Sequence, residues 1–295
     1  MKHLLLSAAL LLPLSAHAES VSAASYPEAT SIVSIGGPVT EIIYALGQGA
    51  RIVARDTTSL YPEEVNDLPD VGYMRQLSAE GVLSVGPDLI VTRDTAGPPE
   101  VLDQLRKAAI PMVAVKDGFS ESAVIDAIHT VGAALGVPER SDTFAAEVQE
   151  QFDSLHQSIE SAGTPPRVLF ILSNQGGRLN VAGAATGADG IITLAGAENV
   201  MASEYQGYKI MSDEAIIATA PDVVLMMEPT GEAEHDGNRA DILDLPALSH
   251  TPAGQNGAFV EVSPAALGFG PRTALFAQEL HDALWSATGT DAGTE

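Results

Sequence analysis

The sequence predicts an α/β protein of two similar lobes with mainly parallel sheets, joined by one long rigid helix. Strand patterns alternate with helical patterns, one helix–strand unit recurs in the second half, and an uninterrupted helical pattern lies between the halves. The predicted organisation is a signal peptide over residues 1–18, a first lobe over 19–140, the connecting helix over 141–163, and a second lobe over 164–295 with a flexible tail from about 288.

The first eighteen residues have the pattern of a secretory signal peptide. Lys2 provides a positive start, residues 4–14 form an apolar core, and residues 16–18 provide the small side chains of a cleavage site after Ala18. The apolar core is shorter than the roughly 20 residues that span a bilayer. A buried N-terminal helix is the alternative. We expect an exported protein without direct membrane insertion.

The composition excludes several classes of protein. The chain has a formal net charge of −25 and no cysteine. A surface this acidic repels nucleic acid and anionic lipid, so neither is an expected partner. The lack of cysteine excludes disulfides, thiol chemistry and a lipid-modified cysteine anchor. The fold must therefore depend on burial of an apolar core, and we expect a monomer.

Strand and helix patterns alternate along both halves of the chain. In the first half, β-branched and apolar runs separated by amphipathic segments indicate a parallel sheet. The second half opens on a similar apolar run. The predicted strands are 31–35, 51–54, 89–92, 112–115, 167–172 and 223–227, and the predicted first-half helices are 40–46 and 100–109.

One helix–strand unit occurs twice. Residues 77–91 resemble residues 211–225, and each copy has a serine N-cap, a short amphipathic helix, a Pro-Asp pair and a buried strand. A chance resemblance of a single unit is the alternative. We favour two lobes of like topology.

A long helix is predicted between the two copies. Residues 142–161 contain neither Gly nor Pro, and apolar side chains recur there at helical spacing. Such a helix is about 30 Å long. A stiff helix between two lobes, without a Gly/Ser hinge, predicts only modest opening and closing.

Motifs of catalysis are missing from the sequence. There is no G-x-S-x-G nucleophile turn, no P-loop and no complete G-x-G-x-x-G. The acidic stretch 232–236, which contains one histidine, could hold a cation, but an ordinary acidic surface loop is favoured. We therefore predict that the protein is not an enzyme.

Two loop residues are candidates for ligand binding. Tyr61 follows a predicted strand and precedes Pro62, which favours an extended backbone. Open α/β sheets bind ligands at the carboxyl ends of their strands. Arg272 lies among turn residues in the second half, so the two side chains could face one another across a cleft. A half-buried structural tyrosine is the alternative.

At these motifs the sequence resembles the periplasmic haem-binding proteins of bacterial ABC haem importers, across essentially the whole mature chain. The opening strand–helix and the Pro-Asp strands are shared with siderophore and cobalamin binders of the same superfamily. DTTSLYP at 56–62 and GFGPRT at 268–273 point to haem in particular. The other matching segments are 34–47, 71–80, 96–102, 181–189 and 208–212.

The resemblance implies the helical-backbone periplasmic binding protein fold, with haem b as the transported ligand in the cleft. It also implies that Tyr61 is the axial iron ligand and that Arg272 supports it. Phenolate is a hard anionic donor suited to ferric iron, and a nearby guanidinium favours it. Some relatives add a histidine from the second lobe, but residues 173–180 contain none. We therefore predict five-coordinate ferric haem.

Further residues of the matching segments are candidates for the haem pocket. Apolar walls and cations for the propionates are the expected features, although an aromatic residue or Met is more often part of a core. The candidates are Tyr73, Met74, Tyr205, Tyr208 and Phe269 for the walls, and Arg75, Arg178 and Lys209 for the propionates.

Glu80 and Glu214 hold equivalent positions in the two copies of the repeat. In importers of this superfamily an acidic residue on each lobe docks onto the permease pair, and the resemblance implies that role here. Alternatively, a carboxylate in the first turn merely stabilises its helix.

The sequence thus predicts a periplasmic protein that binds haem and delivers it to an ABC importer. A ferric-siderophore or cobalamin binder of the same superfamily is the alternative. A secreted hydrolase or metalloenzyme on an α/β scaffold is a weaker one, because the sequence offers neither a nucleophile–base set nor clustered metal ligands.

Overall fold

A computed structural model describes residues 24–229 and 239–289. The predicted signal peptide, the acidic stretch 232–236 and the part of the tail beyond residue 289 lie outside the described residues. Within them, strands and helices alternate and build two sheets, so the predicted α/β fold class is confirmed.

The first sheet has four strands, all parallel, in the order β2-β1-β3-β4. Its strands are β1 (Ile32–Ile35), β2 (Ile52–Arg55), β3 (Leu89–Arg93) and β4 (Met112–Val115). The helices that connect them are α1 (Gly37–Ala45), α2 (Ala79–Ser84) and α3 (Pro99–Lys107). Helix α1 begins three residues before its predicted start, because Pro38 is accommodated in the first turn, where no N–H is required.

The second sheet is mixed. Its strands are β5 (Arg167–Gln175), β6 (Arg178–Ala182), β7 (Glu198–Asn199), β8 (Tyr208–Ile210), β9 (Val223–Met227) and β10 (Phe259–Val262). Strands β10, β9 and β5 run parallel, whereas β6 and β8 extend the sheet with antiparallel pairing, and β7 pairs β5. Gly176 and Gly177, at φ values of 62° and 88°, form the two-residue turn that reverses the chain after β5.

Helices cover the sheets and connect them. They are α4 (Glu121–Leu135), α5 (Pro138–Glu160), α6 (Gly187–Leu194), α7 (Asp213–Thr219), α8 (Arg239–Leu243), α9 (Pro246–Ser249), α10 (Pro252–Asn256) and α11 (Thr273–Ala287). Helix α5 has 23 residues and is about 34 Å long. It starts three residues before the predicted boundary, with proline at its first position. No helix of the described ranges has both the length and the apolar character needed to cross a bilayer.

The repeated unit has the same local structure in both copies. Ser78 and Ser212 each cap a helix, with the side-chain oxygen accepting from the backbone N–H three residues on. The aspartates of the two Pro-Asp pairs then tie the following strand to its neighbour. Asp88 accepts from the N–H of Ser31 at 3.0 Å, and Asp222 accepts from the N–H of Arg167 at 3.0 Å.

The two sheets share a central hydrophobic core. Because successive strand residues face opposite sides, Val168 and Phe170 of β5 point into this central cluster, whereas Leu169 points into a separate one. The first sheet is divided in the same way: Ile32 points into the central cluster, whereas Val33 points into a separate buried cluster on the other face of the sheet. Helices α4, α5 and α11 fill the centre, so one continuous core runs from one lobe to the other.

Candidate ligand-binding site

Loops at the carboxyl ends of both sheets meet in what we call the interlobe junction. Phe119, which follows β4, packs edge-on against Phe269 of the second lobe with ring centroids 5.5 Å apart. A Cβ atom added to Gly190 of α6 would lie 2.7 Å from both Phe119 and Phe269. Likewise, a Cβ atom on Gly270 would lie 3.2 Å from Pro38. The ligand-binding edges of the two sheets therefore face each other.

A buried carboxylate organises the loop that carries Tyr61. Asp56 is fully buried, and its Oδ1 accepts from the N–H of Gly36 at 2.8 Å and from the hydroxyl of Ser59 at 2.7 Å. Its Oδ2 accepts from the N–H and the hydroxyl of Thr58 at 3.0 and 2.6 Å. With four such bonds the charge is satisfied and the loop has one defined shape.

Tyr61 lies at the end of this loop, with 49% of its surface exposed. The guanidinium carbon of Arg272 lies 3.9 Å from the centre of its ring, in a cation–π contact. Arg272 is the N-cap residue of α11, which fixes its position relative to the second sheet. The structure therefore brings together the two residues that the sequence predicted to face one another.

Arg272 is held in place by Glu41 of α1. Its Nε donates to Oε2 at 2.9 Å and its Nη2 donates to Oε1 at 2.7 Å. Hydrogen bonding to Glu41 raises the pKa of the Arg272 guanidinium, which keeps it charged. Sequence reasoning did not single out Glu41, although it lies within a matching segment, because 231 positions separate the partners.

The predicted apolar wall residues divide into exposed and buried ones. Tyr73 and Tyr208 are 39% and 38% exposed, so a ligand can reach them. Met74 and Phe269 are buried in hydrophobic clusters, so they can support the residues that line the site but expose little surface to a ligand. Ile210, which was not predicted, is 41% exposed and shares the Tyr208 face of β8, because alternate residues of a strand point the same way.

Tyr205 and Lys209 form a separate pair. The Lys209 ammonium lies 4.8 Å from the Tyr205 ring centre, and the Tyr205 hydroxyl donates to the carbonyl of Val181 at 3.0 Å. Burial raises the pKa of Tyr205 to about 12. Strand alternation places Lys209 on the face of β8 opposite Tyr208, so the two residues do not line the same surface.

Arg75 and Arg178 are both exposed but have different surroundings. Arg75 donates to the hydroxyl of Tyr73 at 3.5 Å. Burial raises the pKa of Tyr208, and the charge of Arg75 acts against this shift, so Arg75 lies within electrostatic reach of the second lobe. Arg178 begins β6 beside the Gly176–Gly177 turn.

Arg93, at the end of β3, is a further arginine near the junction. Arg93 forms an ion pair with Asp117, and burial, followed by the charge of Arg75, lowers its pKa to about 10. Its side chain packs over Gly36, where a Cβ atom would lie 2.7 Å from it. Gly36 therefore has two roles, because its φ of 105° also suits glycine. Sequence reasoning did not predict a role for Arg93.

The two predicted docking residues are both exposed. Glu80 is the second residue of α2, and Glu214 is the second residue of α7. Since each follows a capping serine of the repeated unit, they occupy equivalent places on the two lobes.

Two sheets that meet at their carboxyl ends, a long helix between them and an exposed tyrosine at their junction define a two-lobed solute-binding protein. The family model described as periplasmic binding protein matches residues 32–266, and the chain belongs to that family. Its members are solute-binding proteins that act outside the cytoplasm, not enzymes, which supports the non-enzyme prediction at the level of the family. In the described part of the chain, no group of three His, Asp or Glu side chains could hold a metal ion.

Solved structures of haem-binding proteins are similar over most of the chain. The periplasmic haem-binding protein RhuT from Roseiflexus sp. RS-1, solved without ligand, is 36% identical with a TM-score of 0.82. The match covers 88% of this chain and 98% of that one. The predicted resemblance to periplasmic haem-binding proteins of ABC importers is therefore confirmed.

Other relatives have lower sequence identity, and their names do not mention haem. An uncharacterised ABC transporter substrate-binding lipoprotein, YvrC of Bacillus subtilis, is 28% identical over 67% of this chain, and the match spans 63% of that relative. A vitamin B12-binding protein of Pectobacterium atrosepticum is 27% identical over 69% of this chain and 73% of its own length. These relatives support a substrate-binding protein of an ABC transporter.

Proposed function

We propose that the protein binds ferric haem at the interlobe junction and delivers it to an ABC importer. The observation that carries this proposal is Tyr61, which stands half-exposed at the end of a fixed loop beneath a charged guanidinium. Phenolate oxygen binds ferric iron well, and the guanidinium of Arg272 lies 3.9 Å from the centre of the Tyr61 ring. Because residues 173–180 contain no histidine, we propose Tyr61 as the single axial ligand.

The surroundings of Tyr61 suit a flat apolar ligand that carries carboxylates. Tyr73, Tyr208 and Ile210 expose apolar surface that could cover a porphyrin face. We propose that Arg75 takes a propionate, since a charge-assisted bond to a carboxylate is strong. Lys209 is a weaker candidate because its ammonium lies over Tyr205. Arg178, at the β5–β6 turn, is a second propionate candidate.

Cobalamin is the second candidate ligand. It is favoured by the vitamin B12-binding descriptions of several curated relatives, at 25–27% identity. Four solved haem-binding proteins have 34–36% identity, whereas a further one, HmuT, has 22%. Cobalamin also has amide side chains where haem has carboxylates, so an exposed arginine beside the site favours haem.

We propose a periplasmic location, reached by cleavage of residues 1–18 after Ala18, and a monomeric mature protein. The predicted lobes of 19–140 and 164–295 would then share the ligand, with residues 141–163 connecting them. We further propose that Glu80 and Glu214 bind basic residues of the permease pair, one from each lobe. Their exposure and equivalence support this role.

Titration with ferric haem and with cyanocobalamin, followed by visible spectroscopy, tests the ligand. With residues 19–295 we expect a saturable Soret shift with haem and no comparable change with cobalamin. Tyr61→Phe removes the donor oxygen and should weaken haem binding about 100-fold, or about 2.8 kcal/mol. Tyr44→Phe, at a half-buried tyrosine of α1, is the control. An unchanged spectrum in Tyr61→Phe would reject Tyr61 as the ligand.

A further inference from the structure

The Glu41–Arg272 ion pair connects the two lobes beside Tyr61. Glu41 lies on α1 of the first lobe, whereas Arg272 begins α11 of the second. Their side chains are only 12% and 28% exposed. By contrast, the Arg167–Glu198 pair of the second lobe is 41% and 56% exposed. Water therefore competes less for the junction pair, and the two-bond geometry fixes the plane of the guanidinium.

Arg272 needs such a partner to keep its place. An arginine side chain has many rotamers, and stacking against one ring restricts few of them. Here the guanidinium lies 3.9 Å from the centre of Tyr61 and 4.9 Å from that of Phe276. Nε and Nη2 both donate to Glu41, so the carboxylate fixes the rotation of the guanidinium beside the Tyr61 ring.

We propose that Glu41 is a positioning residue that holds Arg272 against the ring of Tyr61 across the interlobe junction. Glu41 does not touch the ligand and acts only through Arg272. The consequence for haem rests on the proposed function: the cation that assists the iron-binding phenol is oriented before the ligand arrives. Preorganisation of this kind improves binding because less ordering remains to be done.

The geometry can be tested without haem. In the ligand-free protein, the ring current of Tyr61 should shift the Arg272 Nε–Hε resonance upfield in ¹H–¹⁵N NMR spectra. Because the hydrogen bond to Glu41 also moves this resonance, the ring-current shift is measured as the difference between a protein and its Tyr61→Leu counterpart. This difference should be mostly lost in the Glu41→Gln background and kept in the Glu198→Gln background. A full difference in the Glu41→Gln background would overturn the proposal.

The haem-bound protein provides the second test, a double-mutant cycle on haem transfer to excess haem-free myoglobin. We expect Glu41→Gln to accelerate haem loss about tenfold, with Glu41→Asp in between. In an Arg272→Ala background, Glu41→Gln should add less than about twofold. Equal effects in both backgrounds would show that Glu41 acts independently of Arg272. If the wild type binds no haem, the proposed function fails, and the NMR measurement still decides the role of Glu41.

Discussion

The two lobes share a scaffold but contribute different things to the junction. In the first lobe, the loop of Tyr61 is fixed by the fully buried carboxylate of Asp56. In the second lobe, Tyr208 and Ile210 lie on β8, the edge strand of its sheet, where all three residues are exposed. The first lobe thus presents a tyrosine on a fixed loop, whereas the second presents an exposed edge strand. Under the proposed function, the tyrosine would bind the iron and the edge strand would cover part of the porphyrin face.

The repeated unit explains why this difference is compatible with a common scaffold. The serine caps and the Pro-Asp contacts occur in both copies, and the Pro-Asp contacts lie at the amino ends of the strands, away from the loops at their carboxyl ends. Those loops can diverge without disturbing the sheets that carry them.

Removing the carboxylate of Asp56 is expected to have the largest effect. Asp56→Ala leaves the N–H of Gly36 and the Thr58 and Ser59 groups without their acceptor, which should lower the free energy of unfolding by about 3 kcal/mol. Haem binding should fall with it, because Tyr61 loses its fixed position. Urea denaturation and haem titration measure the two effects. Asp103→Ala, in an exposed ion pair, should cost less than about 0.5 kcal/mol. Equal costs would contradict a special role for the Asp56 loop.

Charge reversal at the two proposed docking residues tests whether the lobes are equivalent toward the permease. Glu80→Lys and Glu214→Lys should each reduce haem uptake by the membrane complex about tenfold. Haem affinity in solution should stay unchanged, since neither side chain is among those proposed to contact the ligand. Glu150→Lys, at an exposed position of α5, is the control. A loss of uptake in only one reversal would show that a single lobe makes the productive contact.

Removal of the serine caps should have the smallest effect of the three, and the cost in unfolding free energy should be nearly the same in the two lobes. Ser78→Ala and Ser212→Ala each remove one hydrogen bond at a helix start, at a cost of about 1 kcal/mol in unfolding free energy. Thermal unfolding of the two variants measures this cost. Costs that differ severalfold would mean that the repeated unit is used differently in the two lobes.

Local patterns were sufficient to predict most of the scaffold. The strand at 112–115 and the strand at 223–227 match β4 and β9, and the repeat identified both Pro-Asp units. The antiparallel β8 was not predicted, because a three-residue strand has too short an alternation to recognise. The separation of Lys209 from Tyr208 follows from that strand and was missed with it. The pairing of Glu41 with Arg272 depends on tertiary structure, which no local pattern reports.

The continuous central core has a practical consequence for anyone who divides this protein. Residues of both sheets pack on α4, α5 and α11 in one cluster, so a cut within α5 would leave each fragment with an uncovered apolar face. Separately produced halves should aggregate rather than fold. Reporter or affinity tags are better inserted at an exposed turn away from the junction, such as the one at Gly86 between α2 and β3.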